Sequence, residues 1–171
     1  IFLRRAREEH LATVTASLRQ AGCAITSDTA GIACRCIGRP RAVRPVRTAP
    51  YPGFPTDAQA ILMAALVRSE GTTVFEENIF ENRFKVLKPL RLMGADITLS
   101  ENRACVNGVE KLHGARVKAE ELRGGAALVI AGLAAEGDTV IENVCLIDRG
   151  YDKLEMTLRD LGADIARVKE V

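Results

Sequence analysis

The sequence predicts an α/β fold with apolar helices inside and sheets outside them, and three observations predict it. A helix-ending phrase occurs three times: Leu18 and Arg19 before Gly22, Ala24 and Ile25; Leu90 and Arg91 before Gly94, Ala95, Asp96 and Ile97; Leu158 and Arg159 before Gly162, Ala163, Asp164 and Ile165. The leucines at 18, 90 and 158 stand 72 and 68 residues apart, too far for a solenoid repeat and suited to a supersecondary module of two helices. Secondly, AILMAALVRSEGTTV at residues 60–74 matches ALVIAGLAAEGDTV at 127–140 with an offset of 66. Both are apolar on nearly every side and rich in Ala and Gly, the composition of helices closely surrounded by protein. Thirdly, strands such as Asp96–Ser100 alternate polar and apolar residues and so have one wet face. The module reads βαβαββ, in two full or nearly full copies and one truncated copy around a shared helix bundle. One domain is expected over residues 1–171, with a truncated first unit at about 1–70, a second at about 71–136 and an incomplete third at about 137–171.

Taken in order, residues 8–21 carry Leu11, Val14 and Leu18 at helical spacing and run through Gly22 into a strand. Arg35, Arg39, Arg41, Arg44 and Arg47 follow, with no interleaved aromatics, and Val43 and Val46 alternate around Pro45. That pattern suits a solvated edge strand whose charges discourage pairing. Residues 48–57, TAPYPGFPTD, form a loop stiffened by prolines, each of which fixes its own φ and restricts the residue before it. Thr56 and Gln59 read as a capping box, which makes Asp57 the first residue of the next helix, where the helix dipole favours an ionised carboxylate. Cys34 aligns with Cys105 and Val46 with Val117 at an offset of 71, whereas Asp57 aligns with Arg123 at 66. The five extra residues are Pro50 to Phe54, either a functional loop added to the scaffold or a cover over the core with Phe54 as its plug. Strands at Thr72–Glu76 and at 138–143 each lead into a segment with an arginine, Arg83 and Arg149, again 66 residues apart.

Composition narrows the function classes. A chain of 171 residues with 47% hydrophobic and 27% charged residues is long enough for one domain with a sizeable core. A net charge of +2 does not argue for a nucleic-acid or membrane partner. Five cysteines without regular pairing point to reduced thiols in a cytoplasmic protein, with Cys34 and Cys36 as two buried thiols and no metal assigned. The most apolar stretch, 124–135, is too short to span a membrane, so a soluble protein is expected. Opening on Ile1 with an incomplete first repeat, the sequence is expected to be a piece of a longer protein.

Asp57 is either a capping aspartate or a functional acid. Arg83 and Arg149, at equivalent points next to Asn82 and Asp148, are either salt-bridge partners or anion ligands that add guanidinium donors to free helix N–H groups. Arg123 heads the second apolar helix with Glu121 two residues before it, and one crevice is expected to hold all five side chains. His10 and His113 have no partner acid or cysteine in sequence and are assigned to the surface.

The phrases TAPYPGFPTDAQA, IFENRF, LRLMGADI, VNGVEKLHGA, LVIAGLAAEGDT and IDRGY resemble the carboxy-terminal half of the UDP-N-acetylglucosamine 1-carboxyvinyltransferase (enolpyruvyl transferase) family, over residues 11–168. The resemblance implies an inside-out α/β barrel domain of the enolpyruvyl transferase type. It also implies transfer of the enolpyruvyl group of phosphoenolpyruvate to the 3-hydroxyl of UDP-N-acetylglucosamine, the first committed step of peptidoglycan synthesis, with no metal or cofactor. By resemblance Asp57 contacts the sugar 3-hydroxyl as the general base, and Ile79 and Phe80 line the nucleotide-sugar site. Arg83 and Arg149 belong to the closed active site, with Arg149 at the phosphate or carboxylate of phosphoenolpyruvate, where cations offset the charge of the intermediate. Glu121, Leu122 and Arg123 match a motif in which the family often has aspartate, so the carboxylate here is longer by a methylene. The family's other, amino-terminal domain supplies a lysine-asparagine pair and a cysteine loop that have no match here. The piece is therefore expected to be inactive alone, because half of a cleft does not position both substrates. A 3-phosphoshikimate 1-carboxyvinyltransferase is the alternative enzyme, and a non-catalytic anion-binding domain the alternative from another class.

Overall fold

The phrase that recurs three times in the sequence recurs as one piece of geometry. The structure is a computed structural model and describes residues 1–168. In each copy the glycine takes a left-handed conformation, with φ of 103° at Gly22, 93° at Gly94 and 96° at Gly162. Glycine reaches that region without the clash a Cβ would meet. The next N–H, of Cys23, Ala95 or Ala163, then returns to the carbonyl of Leu18, Leu90 or Leu158 at 3.0, 3.1 and 3.0 Å. The arginine completes the clasp. Arg19, Arg91 and Arg159 donate to the carbonyls of Ile25, Ile97 and Ile165 at 3.2, 2.8 and 3.0 Å. Leucine, arginine, glycine and isoleucine are thus spaced as one helix-to-strand turn requires.

The first part of the chain forms β1 (Phe2–Arg4), a 3-10 turn (Glu8–Leu11) leading into α1 (Ala12–Gln20), β2 (Ala24–Asp28) and β3 (Gly31–Arg35). The middle forms β4 (Val46–Arg47), α2 (Thr56–Leu66), β5 (Thr72–Glu76), α3 (Leu87–Leu92), β6 (Asp96–Ser100) and β7 (Arg103–Asn107). There follow β8 (Leu112–His113), β9 (Arg116–Lys118), α4 (Leu122–Leu133), β10 (Ala135–Glu136), β11 (Val140–Glu142), α5 (Cys145–Asp148) and α6 (Leu154–Asp160). One sheet has the order β1-β3-β2 and another β4-β5-β7-β6, with β4 parallel to β5 and the other pairs antiparallel. Two short parallel pairs join β8 to β10 and β9 to β11. The expected strand at the third phrase is not formed: residues 163–168 carry no strand. β2 and β6 each pair with the hairpin strand that follows them, and no such partner follows the third phrase among the described residues.

The two apolar helices are buried as their composition demands. Leu62, Met63, Ala64 and Leu66 of α2 and Ala127, Leu128 and Ala131 of α4 share one core with Phe75, Val106, Leu90 and Met93. Arg123 at the start of α4 bonds Asp57 at the start of α2, while Arg68 just past α2 donates to the Ala134 carbonyl just past α4 at 3.1 Å. Like ends meet, so the helices run parallel. Small residues let α4 sit deep, since a Cβ on Gly125 would lie 2.6 Å from Ile147 and 3.0 Å from Ala119. Among the described residues no helix is long and apolar enough to cross a membrane.

Three sequence expectations are corrected. The cysteines are not all thiols, because Cys23 and Cys36 form a disulfide; Cys34 is half-buried and Cys36 exposed rather than both buried. Cys34 is not the counterpart of Cys105. Cys34 pairs across its hairpin with Ile25 as Val106 pairs with Ile97, so the true offset is 72 and Cys105 lies on the other face of its strand. The arginine cluster is only partly a solvated edge. β4 is indeed an edge strand, but Arg47 pairs with Glu76 at 2.7 Å, and Arg39 donates to the carbonyls of Arg68, Ser69 and Gly108 at 2.6, 3.1 and 3.3 Å.

Glu8 fastens the first unit by accepting from Arg19, Ser27 and Thr15. The hydrogen bond from Arg19, then that from Ser27, pulls its carboxyl from an ordinary 4.5 to about 2. A depressed folded value stabilises the fold above the unfolded value and is lost as the pH falls through the folded one. We therefore expect acid unfolding, followed by circular dichroism, to be less steep in Glu8→Gln than in the wild type as the pH falls from 4.5 toward 2, with the two converging at the acid end.

Candidate active site

The site is assembled around a buried acid. Glu77, 4% exposed, follows the last residue of β5. Its Oε1 accepts from the Thr48 hydroxyl at 2.9 Å and from the backbone N–H groups of Ile79 and Phe80 at 2.8 and 3.0 Å; its Oε2 accepts from the Thr56 hydroxyl at 2.8 Å. The exit of β4, the first turn of α2 and the loop after β5 are thereby tied to one side chain. Thr48 is also buried, and its Oγ1 accepts from the Asn78 N–H at 2.8 Å.

This arrangement replaces the expected capping box. Pro55 is the N-cap of α2, Thr56 the first helical residue and Asp57 the second, and no side chain caps the helix. The Thr56 hydroxyl goes to Glu77 instead, and Gln59 is buried with its Nε2 unpartnered. The preceding loop closes on itself, with Ala49 N–H donating to the Phe54 carbonyl at 3.1 Å and Gly53 N–H to the Pro50 carbonyl at 2.7 Å. A Cβ on Gly53 would lie 2.5 Å from that of Ala49, so the turn admits only glycine. Phe54 is buried in the main core, as the core-cover alternative of the two sequence readings required, and the Tyr51–Pro52 peptide is cis.

The starts of α2 and α4 lie side by side. Arg123 Nε donates to Asp57 Oδ1, and its NH1 lies 3.7 Å from Glu121 Oε2. The Asp57 side chain remains 68% exposed although it is paired. Glu121 caps α4, accepting from the N–H groups of Arg123, at 2.9 Å, and Gly124. The aspartate-to-glutamate departure is thus accommodated by a carboxylate that folds back onto its own helix; a Cβ on Gly124 would stand 2.7 Å from Glu121 Oε1. Tyr151 joins this group. Burial, and then the Asp57 carboxylate, push its phenol up, while its ring packs on the Ala119, Val129 and Ile147 cluster. Leu122 presses against Gly150, where a Cβ would be 2.9 Å away, so α4 also fixes the segment that carries Arg149 and Tyr151.

Of the five expected side chains, three are joined by direct contacts. Asp57, Glu121 and Arg123 are together; Arg83 instead stacks on the Phe80 ring at 4.3 Å from its centroid. Ile79 and Phe80 are exposed on an open concavity of about 460 Å³ that Glu77, Asn78 and Phe84 also line. Arg149 is exposed at the C-terminal cap of α5, not at a helix start, and makes no ion pair or side-chain hydrogen bond among the described residues; its neighbour Asp148 pairs with Arg167. Sequence reasoning missed Glu77 and Tyr151. Tyr151 is part of the IDRGY phrase and was within reach, whereas Glu77 had only its place beside a strand end to mark it.

The profile of the EPSP synthase (3-phosphoshikimate 1-carboxyvinyltransferase) family matches residues 1–158. The UDP-N-acetylglucosamine 1-carboxyvinyltransferase of Desulfofundulus thermocisternus is 50% identical over 167 residues, which cover 98% of this chain and 68% of that protein. The chain belongs to the UDP-N-acetylglucosamine 1-carboxyvinyltransferase family. Family members named UDP-N-acetylglucosamine 1-carboxyvinyltransferase 2 from Caldanaerobacter subterraneus and UDP-N-acetylglucosamine 1-carboxyvinyltransferase from Myxococcus xanthus are 48% and 47% identical over 164 and 169 residues, or 96% and 99% of this chain. The chain spans 39% and 40% of their lengths. Among solved structures, the enolpyruvyl transferase NikO from Streptomyces tendae matches with a TM-score of 0.82 at 27% identity, covering 90% of this chain and 36% of that one. EPSP synthase from Acinetobacter baumannii matches with a TM-score of 0.69 at 20% identity over 92% of this chain and 37% of its own, a likeness of fold. The α/β fold is that of enolpyruvyl transferases.

For this UDP-N-acetylglucosamine 1-carboxyvinyltransferase family member, truncating the buried acid leaves two hydroxyls and two N–H groups without their acceptor. Glu77→Ala is expected to destabilise the chain by roughly 2–4 kcal/mol, because each stranded buried donor costs about 1–3 kcal/mol before relaxation. Urea unfolding measures it; an unchanged midpoint would show that Glu77 does not hold these segments together.

Proposed function

We propose that this chain supplies the sugar-facing part of an enzyme that transfers the enolpyruvyl group of phosphoenolpyruvate to the 3-hydroxyl of UDP-N-acetylglucosamine with release of phosphate, the first committed step of peptidoglycan synthesis. The observation that carries the proposal is the exposed Asp57 carboxylate, oriented by Arg123 at the paired starts of α2 and α4. Asp57 accepts the proton of the 3-hydroxyl as the hydroxyl oxygen bonds to the phosphate-bearing carbon of phosphoenolpyruvate, whose methylene carbon takes a proton from the acid of the amino-terminal domain; that carbon then gives up a proton, the double bond re-forms and phosphate leaves. A positioned base of this kind contributes about 10²–10⁴-fold. Ile79 and Phe80 offer apolar surface to the nucleotide sugar, and Arg83, stacked on Phe80, adds a cation beside it. Glu121, Leu122 and Arg123 hold the substrate side of α4. Arg149, exposed and without an ion pair among the described residues, offers its donors to the phosphate or carboxylate of phosphoenolpyruvate.

In this reading residues 1–171 are one partial domain, an inside-out α/β barrel with helices central and sheets outside, in units at about 1–70, 71–136 and 137–171. The last three residues of the third unit lie outside the described ones. An amino-terminal domain of the same enzyme completes the cleft, and the 39–40% coverage of relatives supports it. The transfer takes place in the cytoplasm and needs no metal, cofactor, nucleic acid or membrane. The relatives' names favour this reading over a 3-phosphoshikimate enzyme, and the engagement of Arg39 and Arg47 with backbone and Glu76 leaves the polyanion-binding alternative fewer free cations.

Calorimetry with UDP-N-acetylglucosamine, on the chain alone and combined with the amino-terminal domain, tests the proposal. Selective binding and phosphate release are expected only in the combination, with Asp57→Ala lowering turnover about 10²-fold or more. Salt-sensitive polyanion binding without nucleotide-sugar selectivity in the combined protein would overturn it.

A further inference from the structure

Three sulfurs converge on the first hairpin, far in sequence from Asp57 and outside the site described above. In the antiparallel register Ile25 faces Cys34 and Ala24 faces Arg35. One more step sets Cys23 opposite Cys36, at a Cα–Cα distance of 4.4 Å, that of a non-hydrogen-bonded cross-strand pair. Because side chains alternate along strands, Cys23, Cys34 and Cys36 all project from the same face, and their sulfurs lie within 4.8 Å of one another.

We propose that, when the Cys23–Cys36 bond is reduced, Cys23, Cys34 and Cys36 form a three-thiolate site for a soft monovalent ion of the copper(I) class, and that the disulfide is the form of the site that refuses metal. Thiolate ligands select soft ions. A structural zinc site asks for a fourth protein ligand, and no further histidine, cysteine or carboxylate belongs to this group among the described residues. The surroundings fit the ion. Ile25 and Ile32, with Leu11 and Leu18 against them, form an apolar floor under the cysteines. Cys23 is buried, Cys34 half-buried and Cys36 exposed, which grades the site from floor to entrance.

The chemistry balances in two steps. A dithiol reductant transfers two electrons and two protons to the Cys23–Cys36 bond, giving two thiols and its own cyclic disulfide. Three thiols then lose three protons as one copper(I) binds, leaving a site of charge −2. Oxidation by a disulfide-bearing oxidant reverses the first step and releases the ion.

The test is anaerobic titration of the full chain, reduced with a dithiol and freed of it, with copper(I) held by a competing chromophoric chelator. One ion per chain is expected, with three sulfur neighbours by X-ray absorption, no uptake by the disulfide form, and no displacement by equimolar zinc. Cys34→Ser is expected to weaken binding by more than about 100-fold, beyond the 10–100-fold typical of losing an outer-shell partner. Cys105→Ser and Cys145→Ser are expected to leave binding unchanged. Circular dichroism confirms folding of each variant, and Cys34→Ala serves as a second probe of the same sulfur. Equal affinity of wild type and both Cys34 variants, tight copper(I) binding by the disulfide form, or displacement by zinc would overturn the proposal.

Discussion

The Glu77 carboxylate decides where the rest of the site can be. A buried acid is tolerated when its oxygens are fully hydrogen-bonded, and Glu77 meets that condition with donors from three chain segments, the most distant of them 29 residues away from it. Thr56 is pinned through its hydroxyl, so the first turn of α2 has one position and Asp57, the next residue, one direction. Ile79 and Phe80 give their N–H groups to the same carboxylate, so their backbone is turned inward while their side chains stay at the surface. One polar cluster therefore joins the acid and the concavity that Ile79 and Phe80 line.

The second constraint is the pairing of two helices that occupy equivalent places in the repeat. Their starts carry opposite charges, Asp57 and Arg123, and the parallel packing of α2 and α4 turns the equivalence into an ion pair. The helices differ in how their ends are satisfied. Glu121 closes the N–H groups of α4, while α2 has Pro55 before it and no side-chain cap. The five-residue loop of the first copy accounts for the difference: it drives Phe54 into the core and delivers the chain to α2 through a proline, with the following threonine committed to Glu77. The acid of α2 is consequently more open to solvent than the arginine that holds it.

The cysteine hairpin shows the same repeat used for another end. In the second copy Ala95, Val106 and Gly108 occupy the places of Cys23, Cys34 and Cys36, and they pack without sulfur. The hairpin geometry is common to both copies, so the three sulfurs of the first are a local addition to it. A CxC pair read along one strand gives two sulfurs on a face; the third comes from the neighbouring strand through register.

Short-range physics was legible in the residues. The bounds of β5 and β6 and the left-handed glycine turns follow from alternation and turn chemistry within a few positions. The burial of α2 and α4 follows from their all-round apolar composition. The family was legible because several long phrases are shared, and with it the candidacy of Asp57, Glu121 and Arg123. Tertiary structure alone decided which polar groups meet. Thr56 looked like half of a capping box because its competitor, Glu77, is 21 residues away, and the Cys23–Cys36 bond was invisible because it depends on hairpin register rather than spacing. Arg83 and Arg149 matched in sequence position but not in surroundings, one stacked on an aromatic ring and the other open at a helix end. The reason is general: local dihedral preference and periodicity are properties of neighbouring residues, whereas a buried carboxylate or a thiol takes whichever partner the packed chain brings within a few ångströms.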